Sequence, residues 1–199
     1  MPKPTIYFIR HGQTEWNALG RFQGAKDIPL NDLGREQATH AGTVLKSLLA
    51  RDNRNTRDLA FVASPLGRAR HTMELVRAQL AVPHDDYALD DRLREIVYGD
   101  WEGLTLAEQE AAHPELFAAR LADKWTLPAP GGESYVEVQE RVRAWAADLT
   151  GVTVAVSHGG TCRALMVALG MDTPDGVSEL PIQQGAVYVF SEDGLEKFS

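Results

Sequence analysis

The chain has 199 residues, 44% hydrophobic and 24% charged, with 20 Lys+Arg against 28 Asp+Glu for a net charge of −8. This is ordinary globular usage at about one domain's length, which excludes disordered, collagen-like and coiled-coil chains. An acidic balance disfavours nucleic acid and anionic lipid, yet leaves room for a small anion held by a few focused arginines.

Taken in chain order, Thr5 to Ile9 is a short apolar run, the signature of a buried strand. Asn31 to Ala50 has helical spacing, with Leu33, Ala38, Ala41, Leu45, Leu48 and Leu49 on one face and Asn31 or Asp32 to cap it. Leu59 to Ala63 is a second strand. Pro65 to Leu80 is a helix with Leu66, Ala69, Met73, Val76 and Leu80 inward. Tyr87 to Leu93 is expected to be extended. Thr105 to Lys124 reads as two short helices broken at His113-Pro114, and Glu133 to Leu149 as one helix. Val152 to Val156 is a third strand, Gly160 to Leu169 a helix, and Ala186 to Phe190 a last strand. This alternation predicts an α/β fold: a three-layer α/β/α sandwich around a mostly parallel sheet. We expect one domain over 1–199, with a small lid at about 100–127.

No apolar run approaches the roughly 20 residues that span a bilayer. The stretch from Met1 to Ile9 lacks a signal-peptide pattern, so a cytoplasmic protein is expected. The single cysteine, Cys162, makes neither an internal disulfide nor a cysteine zinc site, and reads as a small buried hydrophobe. A Gly-Lys-Ser/Thr phosphate loop is absent.

Ligands of parallel sheets bind beyond the carboxyl ends of the strands. Arg10-His11-Gly12 follows the first strand, Ser64-Pro65-Leu66-Gly67-Arg68 the second, and Ser157-His158-Gly159-Gly160 the third; Arg94-Glu95 ends the extended stretch. Phosphate chemistry suits this set. Guanidinium forks match phosphate oxygens and keep their charge, so Arg10 and Arg68 can hold an equatorial oxygen pair. Gly159-Gly160 lets backbone N–H groups approach an anion at a helix start. A neutral imidazole, with an ordinary pKa of about 6.5, is a competent nucleophile. A carboxylic acid beside the leaving oxygen can protonate it and then activate water; Glu95 is the first choice, with Glu15, Glu102 and Glu133 as alternatives.

The Arg10-His11-Gly12 opening resembles the histidine phosphatase superfamily, in the branch that includes cofactor-dependent phosphoglycerate mutases. Gly20-Arg21-Phe22-Gln23-Gly24 with Asp27 and Pro29-Leu30-Asn31 looks like its second block. Ser64-Pro65-Leu66 with Arg68, Ala69 and Thr72 looks like its third. Glu95 with Tyr98-Gly99-Asp100-Trp101-Glu102-Gly103, then Pro130-Gly131-Gly132-Glu133 and Ser157-His158-Gly159-Gly160, complete it. The resemblance implies that His11 carries a covalent phosphohistidine and that Arg10, Arg68 and His158 bind the phosphoryl group. It makes Glu95 the acid and then the base, and Asn17, Gln23 and the Thr161 backbone further phosphate contacts. It implies no metal and no other cofactor, and a small-molecule phosphate ester as the substrate.

The same phosphohistidine serves a hydrolase or a mutase. Mutases of the branch follow the acid with Arg-His-Tyr; here Ile96-Val97-Tyr98 follows. The segment from Leu104 to Leu127 is short and weakly basic, which suits a substrate without several extra anionic groups. A phosphomonoester hydrolase is therefore expected, active in the acidic-to-neutral range. The alternatives are a phosphoglycerate-type mutase and, less favoured, an inactive phosphate-binding module.

Overall fold

The computed structural model describes residues 5–199; Met1 to Pro4, part of the stretch searched for a leader, lie outside the described residues. Among the described residues six strands form one sheet: β1 (Ile6–Arg10), β2 (Ala60–Ala63), β3 (Ala88–Leu89), β4 (Thr153–Ser157), β5 (Val187–Ser191) and β6 (Gly194–Phe198), in the order β3-β2-β4-β1-β5-β6. The first four in that order are mutually parallel, β5 runs antiparallel to β1, and β6 antiparallel to β5. The fold is α/β with a mostly parallel sheet.

Alternation along the strands makes the layers, because successive side chains of a strand point to opposite faces. Tyr7, Ile9, Phe61, Ala63, Val154 and Val156 face one side, packed against α2 (Asp32–Arg51) and α3 (Gly67–Gln79) through Ala41, Leu45, Met73 and Val76. Ile6, Phe8, Val62, Ala155, Tyr188 and Phe190 face the other, against α6 (Tyr135–Ala147) and α7 (Gly159–Ala168) through Val138, Val142, Trp145 and Leu165. The short α1 (Glu15–Ala18) follows β1, and α8 (Pro174–Ser178) follows α7. The pair broken at proline is α4 (Leu106–Ala112) and α5 (Pro114–Ala122), with Pro114 in the first turn, where its missing N–H costs nothing.

Three expectations are corrected. Leu33 is 47% exposed rather than on the buried face. At the start of α2 the inward position belongs to Gly34, which meets the backbone of the loop after β1: a Cβ there would sit 2.0 Å from the Gln13 carbonyl oxygen. The stretch 87–93 is strand only at Ala88–Leu89; Asp90 then accepts from Arg92 N and caps a 3-10 turn over Asp91–Leu93. The edge strand β6 adds to the expected set, since Gly194-Leu195-Glu196-Lys197-Phe198 lacks the apolar run of the central strands. Its charges suit an edge, where they oppose further strand pairing.

Register places the site. Arg10 stands opposite Ser157 and Ala63 opposite Val156. His11 N donates to Ser157 O (2.9 Å) and Ser64 N to Val156 O (2.9 Å), so the three strand ends finish level.

Candidate active site

Beyond those strand ends lies a cleft of about 220 Å³. Arg10, His11, Asn17, Gln23, Arg68, Glu95, Gly159 and Gly160 line it, together with Arg21, Phe22, Tyr98 and Arg163. His11 is buried, and its Nδ1–H donates to the Gly12 carbonyl at 2.7 Å. That bond leaves the Nε2 lone pair for chemistry. Burial, then the Arg68 and Arg10 guanidiniums, hold the His11 pKa well below the ordinary imidazole value, so the ring stays neutral into the acidic range. The loop carrying it is fixed from both sides: Gly12 N donates to Thr72 Oγ1 (3.2 Å), and a Cβ at Gly12 would collide with Gly34 O at 2.0 Å.

His158 stacks edge-on against His11, with ring centroids 5.1 Å apart. Its Nε2 meets Ser64 Oγ at 2.7 Å, while Nδ1 is buried without a partner among the described residues. Burial, then Arg68, His11, Arg10 and Arg141, also push the His158 pKa well down. In sequence Ser64 is no more than a motif letter; its place between β2 and His158 emerges from the strand register.

Both arginines beside His11 are anchored by carbonyl oxygens. Arg68 donates from Nη1 to Lys26 O (2.6 Å) and from Nη2 to Gly24 O (2.9 Å), and Arg10 Nη1 donates to Ile182 O. On each guanidinium Nε is buried and unpaired among the described residues. An unsatisfied buried donor costs about 1–3 kcal/mol, which an anion in the cleft would recover.

Glu95 is held by backbone. Its Oε1 accepts from Ile96 N (3.0 Å) and Thr161 N (3.2 Å), and its Oε2 from Gly160 N (3.3 Å). The N–H groups that start α7, expected to cradle an anion from outside, thus hold the protein's own carboxylate. Thr161 is accordingly corrected: it is buried, does not line the cleft, and its hydroxyl donates to Arg94 O (2.7 Å). It positions Glu95. Glu133 serves the same segment, accepting from Val97 N (2.9 Å) and pairing with Arg141, which donates to Arg92 O and Glu95 O. Glu102 accepts from Ala25 N and Tyr98 N and ties two cleft loops together. Of the four carboxylates that the sequence offers, Glu95 alone lines the cleft.

Asn17 Oδ1 accepts from Thr14 N (3.2 Å) at the start of α1, and Gln23 Oε1 accepts from the Thr14 hydroxyl (3.0 Å). Both side chains are steered into the cleft wall by Thr14. Ile96 is buried beneath α7 and Val97 is half-buried; neither lines the cleft, so their apolar character says nothing about the substrate's charge. The segment 104–127 lines none of it either. It reaches the cleft through neighbours: Arg21 pairs with Glu108 at 2.8 Å, and Phe22 N donates to Leu104 O. Trp101 and Trp125 are core residues, Trp125 stacked on Tyr135. Cys162 is buried, and burial pushes its thiol pKa up. No helix among the described residues is long and apolar enough to cross a membrane.

Comparison with known proteins agrees with this geometry. The profile of the histidine phosphatase superfamily (branch 1) matches residues 6–197. A glucosyl-3-phosphoglycerate phosphatase of Mycolicibacterium vanbaalenii is 39% identical over 82% of this chain and 73% of its own. A 2,3-bisphosphoglycerate-dependent phosphoglycerate mutase of a Bradyrhizobium species is 32% identical over 96% of this chain and 92% of its own. The solved structure of a mycobacterial glucosyl-3-phosphoglycerate phosphatase complexed with VO3 superposes with a TM-score of 0.81, at 32% identity, over 98% of this chain and 97% of that one. The chain belongs to the histidine phosphatase superfamily, branch 1, whose members here are phosphatases and mutases.

Proposed function

We propose that the protein is a metal-independent phosphomonoester hydrolase working through a phosphohistidine on His11. One observation carries the reading: His11 Nδ1 is committed to the Gly12 carbonyl, which presents a neutral, unprotonated Nε2 between two arginines in the cleft. Nε2 attacks phosphorus in line; the N–P bond forms as the ester P–O bond breaks. Arg10 and Arg68 hold the non-bridging oxygens and spread the charge of the transition state, and His158, buried against His11 and not itself part of the cleft wall, adds its unpaired Nδ1 to the same group from behind. Asn17 and Gln23 border the same oxygens. Glu95 is the acid that delivers a proton to the leaving oxygen. Its carboxylate then takes a proton from water as that water attacks phosphorus and the N–P bond breaks. His11 stays neutral at acidic pH, so the optimum falls in the acidic-to-neutral range.

Hydrolysis is favoured over transfer by the phosphatase relatives. The mutase relative supports the second reading, isomerisation of a phosphoglycerate. Phosphate release from a panel of esters in chelator, beside a bisphosphate-primed isomerisation assay, separates them. We expect release that falls on the order of 10⁴-fold or more in His11→Ala. Isomerisation faster than release would favour the mutase, and full release by His11→Ala would overturn the phosphohistidine. We further propose that 1–199 is one domain with a small lid at about 100–127, which acts on the cleft through the residues it backs.

A further inference from the structure

We infer that Arg163 reads a second anionic group on the leaving group of the substrate. This rests on the hydrolase reading and names the substrate class of that site. The charges in the cleft do not balance. Its wall carries four guanidiniums, those of Arg10, Arg21, Arg68 and Arg163, against one carboxylate, Glu95. Arg10 and Arg68 flank His11 and belong to the phosphoryl group. Arg21 is already neutralised by Glu108, which accepts from both its Nη atoms at 2.8 and 3.2 Å. Arg163 remains, and among the described residues no carboxylate lies within ion-pair distance of it.

The side chain is also held still. Its Nε donates to Leu180 O (3.0 Å) and its Nη1 to the Tyr135 hydroxyl (3.4 Å), both neutral acceptors, and Tyr135 is itself stacked on Trp125 at 4.9 Å. Helical spacing puts Arg163 one turn beyond Gly159, on the cleft side of α7. Two donors are anchored and Nη2 is left. An orientated guanidinium without an acid partner selects an anion, since a charge-assisted hydrogen bond is about twice as strong as a neutral one. A neutral leaving group leaves that charge unmatched, and a cationic one is repelled. Ile96 and Val97, whose apolar side chains suggest a substrate without further anionic groups, do not line the cleft; the charge arrives instead from α7.

A purely structural Arg163, tying α7 to the 180 loop, would act on every ester alike, which makes the alternatives separable. We would measure kcat/KM in chelator for phosphoglycolate, ethylene glycol bisphosphate, 2-hydroxyethyl phosphate and phosphoethanolamine, with wild type, Arg163→Gln and Arg163→Lys. Wild type is expected to prefer the two anionic esters over hydroxyethyl phosphate by roughly tenfold or more, with phosphoethanolamine last. The two anionic esters tell a carboxylate from a second phosphate. Arg163→Gln should lose roughly tenfold more on the preferred anionic ester than on hydroxyethyl phosphate, and Arg163→Lys should recover part of it. Equal losses on all esters, or no preference in wild type, would overturn the inference while leaving the hydrolase intact. If wild type released phosphate from none of them, the hydrolase reading would fall. Calorimetric binding of phosphoglycolate against hydroxyethyl phosphate would then decide the role of Arg163. Should Arg163→Gln not fold, the wild-type series and Arg163→Lys still decide between an anion reader and a structural tie.

Discussion

The strand-end rim forms the cleft, the helical segment 104–127 only backs the residues that line it, and the two are built in opposite ways. On the rim, His11, Arg68 and His158 are at most 1% exposed, and backbone carbonyls from separate stretches, with the Ser64 hydroxyl, fix their orientation. In the helical segment Leu106 is 55% and Leu121 63% exposed, and the link to the cleft is the Arg21–Glu108 pair and one strand-like exchange between Phe22 and residues 103–104. Phosphoryl chemistry is thereby entrusted to the sheet, where a displaced atom moves the reaction. The contacts from the helical segment to residues lining the cleft run through Arg21, Phe22 and Tyr98, the last with the Arg120 guanidinium 5.8 Å from its ring centre.

The sharpest way to break this contrast is to exchange one rim guanidinium. Arg68→Met should lower kcat by on the order of 10²–10³-fold, the usual cost of one oriented donor to developing charge. A loss under about threefold would place the phosphoryl site elsewhere. Less drastic is Gly160→Ala. A Cβ there would sit 2.6 Å from Glu95 Oε1 and 2.7 Å from Ile96 Cγ2, so the carboxylate must shift. We expect kcat to fall by roughly tenfold with KM nearly constant, most steeply for esters with poor leaving groups, which need the acid.

The rim was legible in sequence to an unequal degree. Apolar runs marked β1, β2 and β4, and from the stretches at their ends Arg10, His11, Arg68, Gly159 and Gly160 line the cleft, while Ser64 and His158 sit behind it. Long-range backbone bonding was not legible: Thr161 N and Gly160 N meet Glu95 across 65 or more positions, and no local pattern announces that. Arg163 was hidden for a related reason. Nothing around it in the helical run marks it, and only the cleft shows that it lines the wall with no carboxylate within ion-pair distance among the described residues. β6 escaped because an edge strand with polar residues lacks the apolar signal of a buried one.

The rim also predicts a pH dependence of stability. Folding depresses the pKa of His11 and His158, so their unfolded forms take up protons near pH 6.5 while the folded forms do not. Stability is full above that pH and is lost as pH falls, by up to about 1.4 kcal/mol per pH unit for each imidazole. In phosphate-free buffer the melting temperature should drop between pH 7 and 5, and His11→Gln should flatten the slope. An unchanged slope would contradict the burial argument. The smallest effect belongs to the helical segment. Glu108→Gln removes an exposed ion pair worth roughly 0–1 kcal/mol, so stability should hardly change and kcat should stay within about threefold. A large fall in kcat would show that this segment takes part in the chemistry and would erase the contrast.

The central claim is that His11 Nε2 carries the phosphoryl group. The most direct measurement is to quench the enzyme in alkali during turnover of a good ester in chelator and locate the modification by peptide mass spectrometry, with phosphorus NMR to show the N–P bond. We expect an acid-labile, base-stable phosphoryl adduct on the peptide holding His11, absent in His11→Ala and consumed when substrate is exhausted. Turnover at full rate with His11 unmodified, or an adduct on another residue that is kinetically competent, would contradict it.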